Sequence, residues 1–390
     1  MIRIQLTDKT NYFQLRKEYL ERIYSYIGFD KADIFPDAGP DNFEKTLNTA
    51  DKLKKFFPEL YRFLFNEDSS VNRMNLRFLL IGPDDLPQSF GGKSKIKKMQ
   101  DCFEEIVAKI PLPREKKARK NAKDCCKEIF QYQKFVANKN DAYWLLRALD
   151  VRVCPYCNRI YTVTLPSKEE LEKDELFKAT RSTFDHFYSQ DKFPYLALSL
   201  FNLIPSCFSC NLNKRDLDRK IVYPYDEEFG KNAVFRVIPQ KKYFDYGDPF
   251  DYLHGESDDF TIKFIGNGGS SLQSDILLKD RLSYIEDTNL RERVQGTIEV
   301  FNLEELYEEH KTEIKDILKT RFYFSKEYVR AEICPMIRKK MLAEGKEEVD
   351  LDVLEEMAMD FLFFTRTKVE GWGKRPLSKL ISDILEQISG

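Results

Sequence analysis

An Asp-His dipeptide stands out in a chain that carries only three histidines. Asp185 and His186 follow Phe184 in the stretch STFDHFYS. Histidine has an ordinary pKa near 6.5 and can act as a general base at neutral pH, while a carboxylate can hold a divalent cation. Adjacent residues of a strand point to opposite faces, so the two side chains can act together only where the strand ends or twists. The sequence predicts such a strand end at His186, and the alternative is a structural histidine at a sheet edge.

Three further polar residues follow this dipeptide. Asn202 lies in the apolar stretch LSLFNLIP, which we predict to be a second strand, although an asparagine there is also typical of a turn cap. Asn211 and Lys214 lie three residues apart on a predicted helix, so their side chains can share one face. Lys214 is either an exposed helix lysine or a contact to a phosphate group.

One Cys-x-x-Cys pair precedes Asp185, and a second lies between Asn202 and Asn211. CPYC contains Cys154 and Cys157, and CFSC contains Cys207 and Cys210. Two intervening residues let one tight turn present both sulfurs at about 2.3 Å from a tetrahedral ion. Four thiolates leave no open coordination position, so the predicted Zn²⁺ is structural rather than catalytic. The alternative is four unrelated cysteines or a redox pair.

The order of strand, loop, strand, Cys-x-x-Cys turn and helix between Cys154 and about Lys220 resembles the HNH endonucleases, also called ββα-metal nucleases. Many members of that family frame the motif with two zinc-binding Cys-x-x-Cys pairs. The phrases CPYCNR, LALSLFNLIPSC and KRPLSKL also resemble a subgroup of longer bacterial HNH proteins. Some of these resemble nucleases of anti-phage defence systems, including ones that act with an ATPase partner.

This resemblance implies a role for each polar residue. His186 would be the general base that activates water, and Asn202 would fix the loop that orients it. Asp185 and Asn211 would hold a catalytic Mg²⁺ or Mn²⁺ against the scissile phosphate, with Lys214 beside them. The chain has Asn211 where a histidine can stand in the family, and an oxygen ligand favours these harder ions. The implied activity is hydrolysis of phosphodiester bonds. DNA is the expected substrate, and RNA is the alternative.

Nucleic-acid binding would need local positive charge, because the net charge of the chain is -2. The predicted phosphate contacts lie in NKRDLDRK on or just after the predicted helix: Lys214, Arg215, Arg219 and Lys220. A second basic run, REKKARKNAK, begins at Arg114 and is more typical of a solvated helix face.

Apolar spacing predicts the elements that position these residues. One stripe, with a break expected at Pro58, comprises Phe43, Leu47, Ala50, Leu53, Phe57, Leu60 and Leu64. A second, predicted to lie on one helix, comprises Leu303, Leu306, His310, Ile314 and Ile317. A third comprises Leu377, Leu380, Ile381, Ile384 and Ile388. Alternation of Phe260, Ile262 and Phe264 predicts a strand before a glycine turn.

These elements predict an α+β fold with mostly helical N- and C-terminal regions, and the resemblance implies a central zinc-bound ββα-metal (HNH) core between them. The predicted segments are a helical region at 1–145, the core at 146–225, a β-rich extension at 226–290 and a helical region at 291–390. Hydrophobic residues make up 42% of the chain, which is enough for a buried core.

The composition also bounds location and partners. The N-terminal stretch has early charges and no apolar run, and no run of 18 apolar residues occurs, so neither a signal peptide nor a membrane span is expected. Eight cysteines without a secretion signal favour the reducing cytoplasm. The resemblance implies DNA and an ATPase or other defence-system subunit as partners, and the size and apolar stripes of the helical regions favour a partner protein or a second copy of the chain. The alternative function is a zinc-binding adaptor with a degenerate nuclease motif, whose helical regions bind a partner protein.

Overall fold

The computed structural model describes residues 1–4, 12–83, 99–165, 181–215, 219–240, 254–266, 281–363 and 372–389. Helices dominate these ranges, and the strands named within them form two antiparallel pairs. The predicted α+β class is therefore confirmed.

The N-terminal part is helical. Its helices are α1 (Tyr12–Ile23), α2 (Lys31–Ile34), α3 (Phe43–Phe56), α4 (Pro58–Leu64), α5 (Arg73–Ile81), α6 (Met99–Lys109), α7 (Lys116–Ile129), α8 (Tyr132–Ala137) and α9 (Lys139–Leu149). The break predicted at Pro58 is confirmed, because α3 ends just before it and Phe57 is fully buried at the joint. The start of the predicted stripe is wrong. Phe43 and Leu47 are 62% and 51% exposed, since the core begins one turn further along α3, at Ala50.

The central part contains a strand pair followed by a short helix. Strand β1 (Thr183–His186) pairs antiparallel with β2 (Leu203–Ser206), and α10 (Phe208–Lys214) begins two residues later. The loop between the strands contains 3₁₀ turns at Pro194–Leu196 and Leu200–Asn202. Strand β1 ends at His186, where the sequence predicts a strand end.

The predicted position of Asn202 inside the second strand is wrong. Asn202 ends a 3₁₀ turn and immediately precedes β2. The physical reason is that its side-chain amide makes three hydrogen bonds to the loop, and its backbone N–H donates to the carbonyl of Ser199. A residue inside a regular strand could not face those partners.

A second strand pair follows. Strand β3 (Ala233–Pro239) pairs antiparallel with β4 (Phe260–Gly266). Phe260, Ile262 and Phe264 are fully buried, so the predicted alternation is confirmed. The glycine turn expected after this strand lies outside the described residues.

The C-terminal part is helical. Its helices are α11 (Thr288–Val300), α12 (Leu303–Glu308), α13 (Lys311–Tyr323), α14 (Lys326–Tyr328), α15 (Cys334–Ala343), α16 (Leu351–Leu362) and α17 (Ser378–Ser389), with a π-helical turn at Val329–Ile333. The single helix predicted through His310 is wrong, because α12 and α13 separate there. The His310 side chain accepts a hydrogen bond from Nε of Arg159 and pairs with Glu313 across the break.

One buried apolar cluster joins the N-terminal helices, both strand pairs and α17. A smaller cluster around Val329, Cys334, Leu354 and Ala358 lies under the helices α15 and α16. The cysteines outside the two pairs are buried: Cys102, Cys125, Cys126 and Cys334. Among the described residues, none of the helices combines the length and apolar character needed to cross a membrane.

Candidate functional site

The four paired cysteines converge on one point. Their sulfur atoms all lie within 4.8 Å of one another, and all four residues are buried: Cys154, Cys157, Cys207 and Cys210. A tetrahedral ion with bonds of about 2.3 Å holds its sulfurs about 3.8 Å apart. The Sγ atoms of Cys157 and Cys207 are 4.0 Å apart. The donor set and its geometry therefore fit a structural Zn²⁺.

Two different local structures present these sulfurs. In the first, the N–H of Cys154 donates to the carbonyl of Ile160, and the N–H of Asn158 donates back to the carbonyl of Cys154. This tight turn places Asn158 at φ +52°, a left-handed conformation that asparagine tolerates better than most residues. In the second, Cys207 is the N-cap of α10 and Cys210 lies in its first turn.

The thiols also influence one another's protonation. Hydrogen bonds from the other thiols, that of Cys154 first, lower the pKa of the Cys207 thiol. A lowered pKa favours the thiolate, which is the form that binds metal. The same neighbours raise the pKa of the Cys210 thiol, so the protons are shared unequally among the four sulfurs.

Asp185 lies beside this centre in a closed environment. Its Oδ2 accepts a hydrogen bond of 2.6 Å from the Tyr156 hydroxyl, and its Oδ1 lies 3.2 Å from Nζ of Lys214. Asp185 is 3% exposed and Lys214 is 5% exposed. The carboxylate is therefore neutralised by a buried ammonium, and both of its oxygens have partners. The alternative of an exposed helix lysine is wrong for Lys214.

His186 faces a different set of neighbours, as strand alternation requires. Its Nε2 lies 3.0 Å from the carbonyl oxygen of Ala197, and its ring packs edge-on against Tyr132 at 4.4 Å between ring centres. Because a carbonyl only accepts, Nε2 carries the proton and Nδ1 has a lone pair. Burial lowers the pKa of His186, although Asp185 and the Ala197 carbonyl act in the opposite direction.

Asn202 fastens the loop that carries this carbonyl. It is fully buried, and its Nδ2 donates to the carbonyls of Tyr188 at 3.1 Å and Leu196 at 3.0 Å. Its Oδ1 accepts from the N–H of Tyr188 at 2.7 Å, and its backbone carbonyl accepts from the N–H of Phe187. Asn202 thus fixes both ends of the loop next to Ala197.

Helix α10 packs two side chains against the free edge of β1. Nδ2 of Asn211 donates to the carbonyl of Phe184 at 3.3 Å, and Nζ of Lys214 donates to the carbonyl of His186 at 2.6 Å. The shared helix face predicted for Asn211 and Lys214 is thereby observed. The structure brings Asp185, Asn211 and Lys214 together around β1, while the His186 ring lies against α8 and the loop.

The other basic candidates lie just beyond α10. Arg215 is exposed and ends the helix at φ +39°. Lys220 pairs with Glu292 at 2.9 Å, and Arg219 pairs with Glu299. Arg219 and Lys220 therefore already have acidic partners, which a phosphate group would have to replace.

Sequence reasoning missed two residues that build the site. Tyr156, between the first two cysteines, is fully buried, binds Asp185 and stacks on Phe301. Asn158 is also fully buried and joins the cysteine turn to the C-terminal segment through the carbonyl of Trp372 and the N–H of Lys379. The available signal was an asparagine directly after a Cys-x-x-Cys pair, which is compatible with a left-handed turn.

Comparison with known proteins gives no further assignment, since no family model, curated protein or solved structure matches the chain.

Proposed function

We propose that this chain is an endonuclease that hydrolyses phosphodiester bonds, with DNA as the expected substrate and His186 as the general base. The observation that supports the proposal best is the way in which His186 is held. It ends β1, its Nε2 is bound to the carbonyl of Ala197, and Asn202 fixes the loop that carries that carbonyl.

In the proposed reaction, one atom of His186 accepts the proton. With Nε2–H donating to Ala197, the Nδ1 atom of the neutral ring takes the proton from the attacking water. No hydrogen-bond partner of Nδ1 occurs among the described residues. Because burial lowers the pKa of His186, the ring is neutral at pH 7 and ready to accept that proton.

A catalytic Mg²⁺ or Mn²⁺ does not fit Asp185 as it is placed. The ammonium of Lys214 already neutralises Oδ1, and the Tyr156 hydroxyl occupies Oδ2. Binding an ion there would require Lys214 to leave the carboxylate. The amide of Asn211 is partly exposed and contacts β1 through its nitrogen. Whether cleavage depends on a divalent ion is therefore tested separately, by comparing buffers with and without added Mg²⁺ or Mn²⁺.

The biological setting follows only from the resemblance. It comprises anti-phage defence in the bacterial cytoplasm, an ATPase or other subunit as partner, and RNA as an alternative substrate. The size and apolar stripes of the helical regions favour a homodimer.

A zinc-binding adaptor is the second candidate, and one observation favours it. The buried ion pair between Asp185 and Lys214 occupies the place where a nuclease of this kind would hold its cation. In an adaptor, that pair would serve only to join α10 to β1.

Plasmid nicking separates the two functions. The full chain is incubated with supercoiled plasmid in buffer without divalent ions and with added Mg²⁺ or Mn²⁺. The nuclease proposal expects nicked circles that depend on His186, and the comparison of the buffers tests separately whether a divalent ion is needed. Absence of nicking by zinc-loaded, folded protein on both DNA and RNA would favour the adaptor.

A further inference from the structure

A cleft of about 450 Å³ lies beside the end of α10, and its lining does not include Tyr132 or Ala197, the neighbours of the His186 ring. Its volume falls within the range of about 300–1,000 Å³ typical of small-ligand sites. It is lined by three aromatic residues and five basic ones: Phe187, Tyr188, Phe193, Lys192, Lys214, Arg215, Arg219 and Lys220. The space is suited to a single nucleotide and too small for a duplex.

The aromatic wall is formed by the loop that follows β1. The rings of Phe187 and Tyr188 meet at 5.3 Å between centres, and those of Tyr188 and Phe193 meet at 5.6 Å, both edge to face. All three side chains are partly exposed. Asn202 holds the Tyr188 backbone through both its N–H and its carbonyl. The wall is therefore a fixed surface on which a planar base can stack.

The basic side chains that line the cleft differ in whether an acidic side chain already neutralises them. Lys214 is paired with Asp185, Arg219 with Glu299 and Lys220 with Glu292. Arg215 is exposed and forms no ion pair within the described part of the chain. Among the described residues, Glu104 is the acidic residue of the lining. The excess of positive charge favours an anionic ligand, and Arg215 is the cation most available to it.

We propose that this cleft binds one unpaired nucleotide of a nucleic-acid strand, with its base stacked on the Phe193 ring beside Tyr188 and its phosphate at Arg215. Aromatic rings beside a basic groove are the usual means of holding single strands, because every base offers a face for stacking. The inference rests on the proposed function only in naming a strand as the ligand. A free nucleotide offers the same chemistry, so the test separates the two sources.

Binding is measured without cleavage to keep this inference distinct from nuclease activity. The His186→Ala chain, in buffer without added divalent ions, is titrated into a short oligonucleotide carrying 2-aminopurine. Matched titrations use the corresponding duplex and a deoxynucleoside monophosphate. We expect the single strand to bind tightest and the 2-aminopurine fluorescence to be quenched by stacking.

Two further substitutions test the aromatic wall and the cation at Arg215. Phe193→Leu should reduce the quenching and weaken single-strand binding by about 5- to 150-fold, the range for loss of one stacked base. Arg215→Gln should lower the salt slope of single-strand binding by about 0.7. Lys117→Gln on α7 is the matched control for Arg215→Gln and should leave that slope unchanged.

The inference is overturned if the duplex binds as tightly as the single strand, or if Arg215→Gln and Lys117→Gln behave alike. A monophosphate that binds as well as the oligonucleotide would also overturn it, because the site would then serve a free nucleotide. Failure of wild-type protein to cut DNA would leave these binding results unaffected.

Discussion

The Nζ atom of Lys214 lies 3.2 Å from Oδ1 of Asp185, and both side chains are almost completely buried. This pair joins α10 to β1 next to the four-cysteine cluster. Burying two charges carries a desolvation cost, so the arrangement is stable only while both partners are present.

Breaking this pair should therefore destabilise the fold. Asp185→Asn leaves the Lys214 ammonium buried without a counter-charge and should lower the free energy of unfolding by about 3–5 kcal/mol. The double variant Asp185→Asn/Lys214→Met should recover most of the loss. Urea unfolding measures both. Glu292→Gln, which breaks the exposed pair with Lys220, is the control and should change little. An Asp185→Asn variant as stable as this control would contradict the account.

The cysteine cluster predicts one zinc ion per chain. Cys207→Ser should lose that ion and unfold the central region, since structural zinc contributes on the order of 10 kcal/mol in small peptides. Cys334→Ser, a buried cysteine outside the cluster, should retain the metal. Elemental analysis and circular dichroism on both proteins provide the measurement. Pure, folded wild-type protein without zinc would refute the predicted site.

Asn158 should be a stability residue of the first cysteine turn. Asn158→Ala leaves the N–H of Lys379 without its partner, removes one of the two donors to the carbonyl of Trp372 and places alanine at φ +52°. We expect a loss of about 3 kcal/mol in the free energy of unfolding. Asn158→Gly accepts the backbone conformation but loses the same hydrogen bonds, so it should fall between wild type and alanine. Equal stability of all three proteins would exclude this role.

The pH dependence of cleavage should report on His186. Burial lowers its pKa below the ordinary 6.5, so the neutral base persists to lower pH. The acid limb of the rate profile should therefore lie below pH 6.5. Asp185 raises this pKa through its charge, so Asp185→Asn should move the limb further toward acid in whatever activity remains. A limb above pH 6.5 in the wild type would contradict the assignment.

Much of the site could be predicted because its signals are local. The spacing of Cys154 and Cys157 indicates a tight turn, and so does the spacing of Cys207 and Cys210. The four sulfurs then converge if the intervening chain brings the second pair back to the first. The end of β1 at His186 followed from the composition of one short stretch. The strand end was also predicted to let Asp185 and His186 act together, but alternation holds to the end of β1 and the two side chains have different neighbours.

The remainder depends on contacts between distant residues. Nothing in the local sequence shows that Lys214 would be buried against Asp185, 29 positions away, or that Tyr156 would reach the same carboxylate. Asn202 was placed in a strand because its neighbours are apolar. Its side-chain amide instead donates hydrogen bonds to the backbone carbonyls of Tyr188 and Leu196. These bonds determine the 3₁₀ conformation of the backbone at Asn202.

The central claim is that His186 removes a proton from water, and the His186→Ala variant tests it most directly. Plasmid nicking and melting temperature are measured on one zinc-loaded preparation, with His254→Ala as control. We predict that His186→Ala melts close to wild type and cuts about 10²- to 10⁴-fold more slowly, the usual contribution of a general base. A stable His186→Ala protein that nicks at the wild-type rate would show that this histidine is not the base.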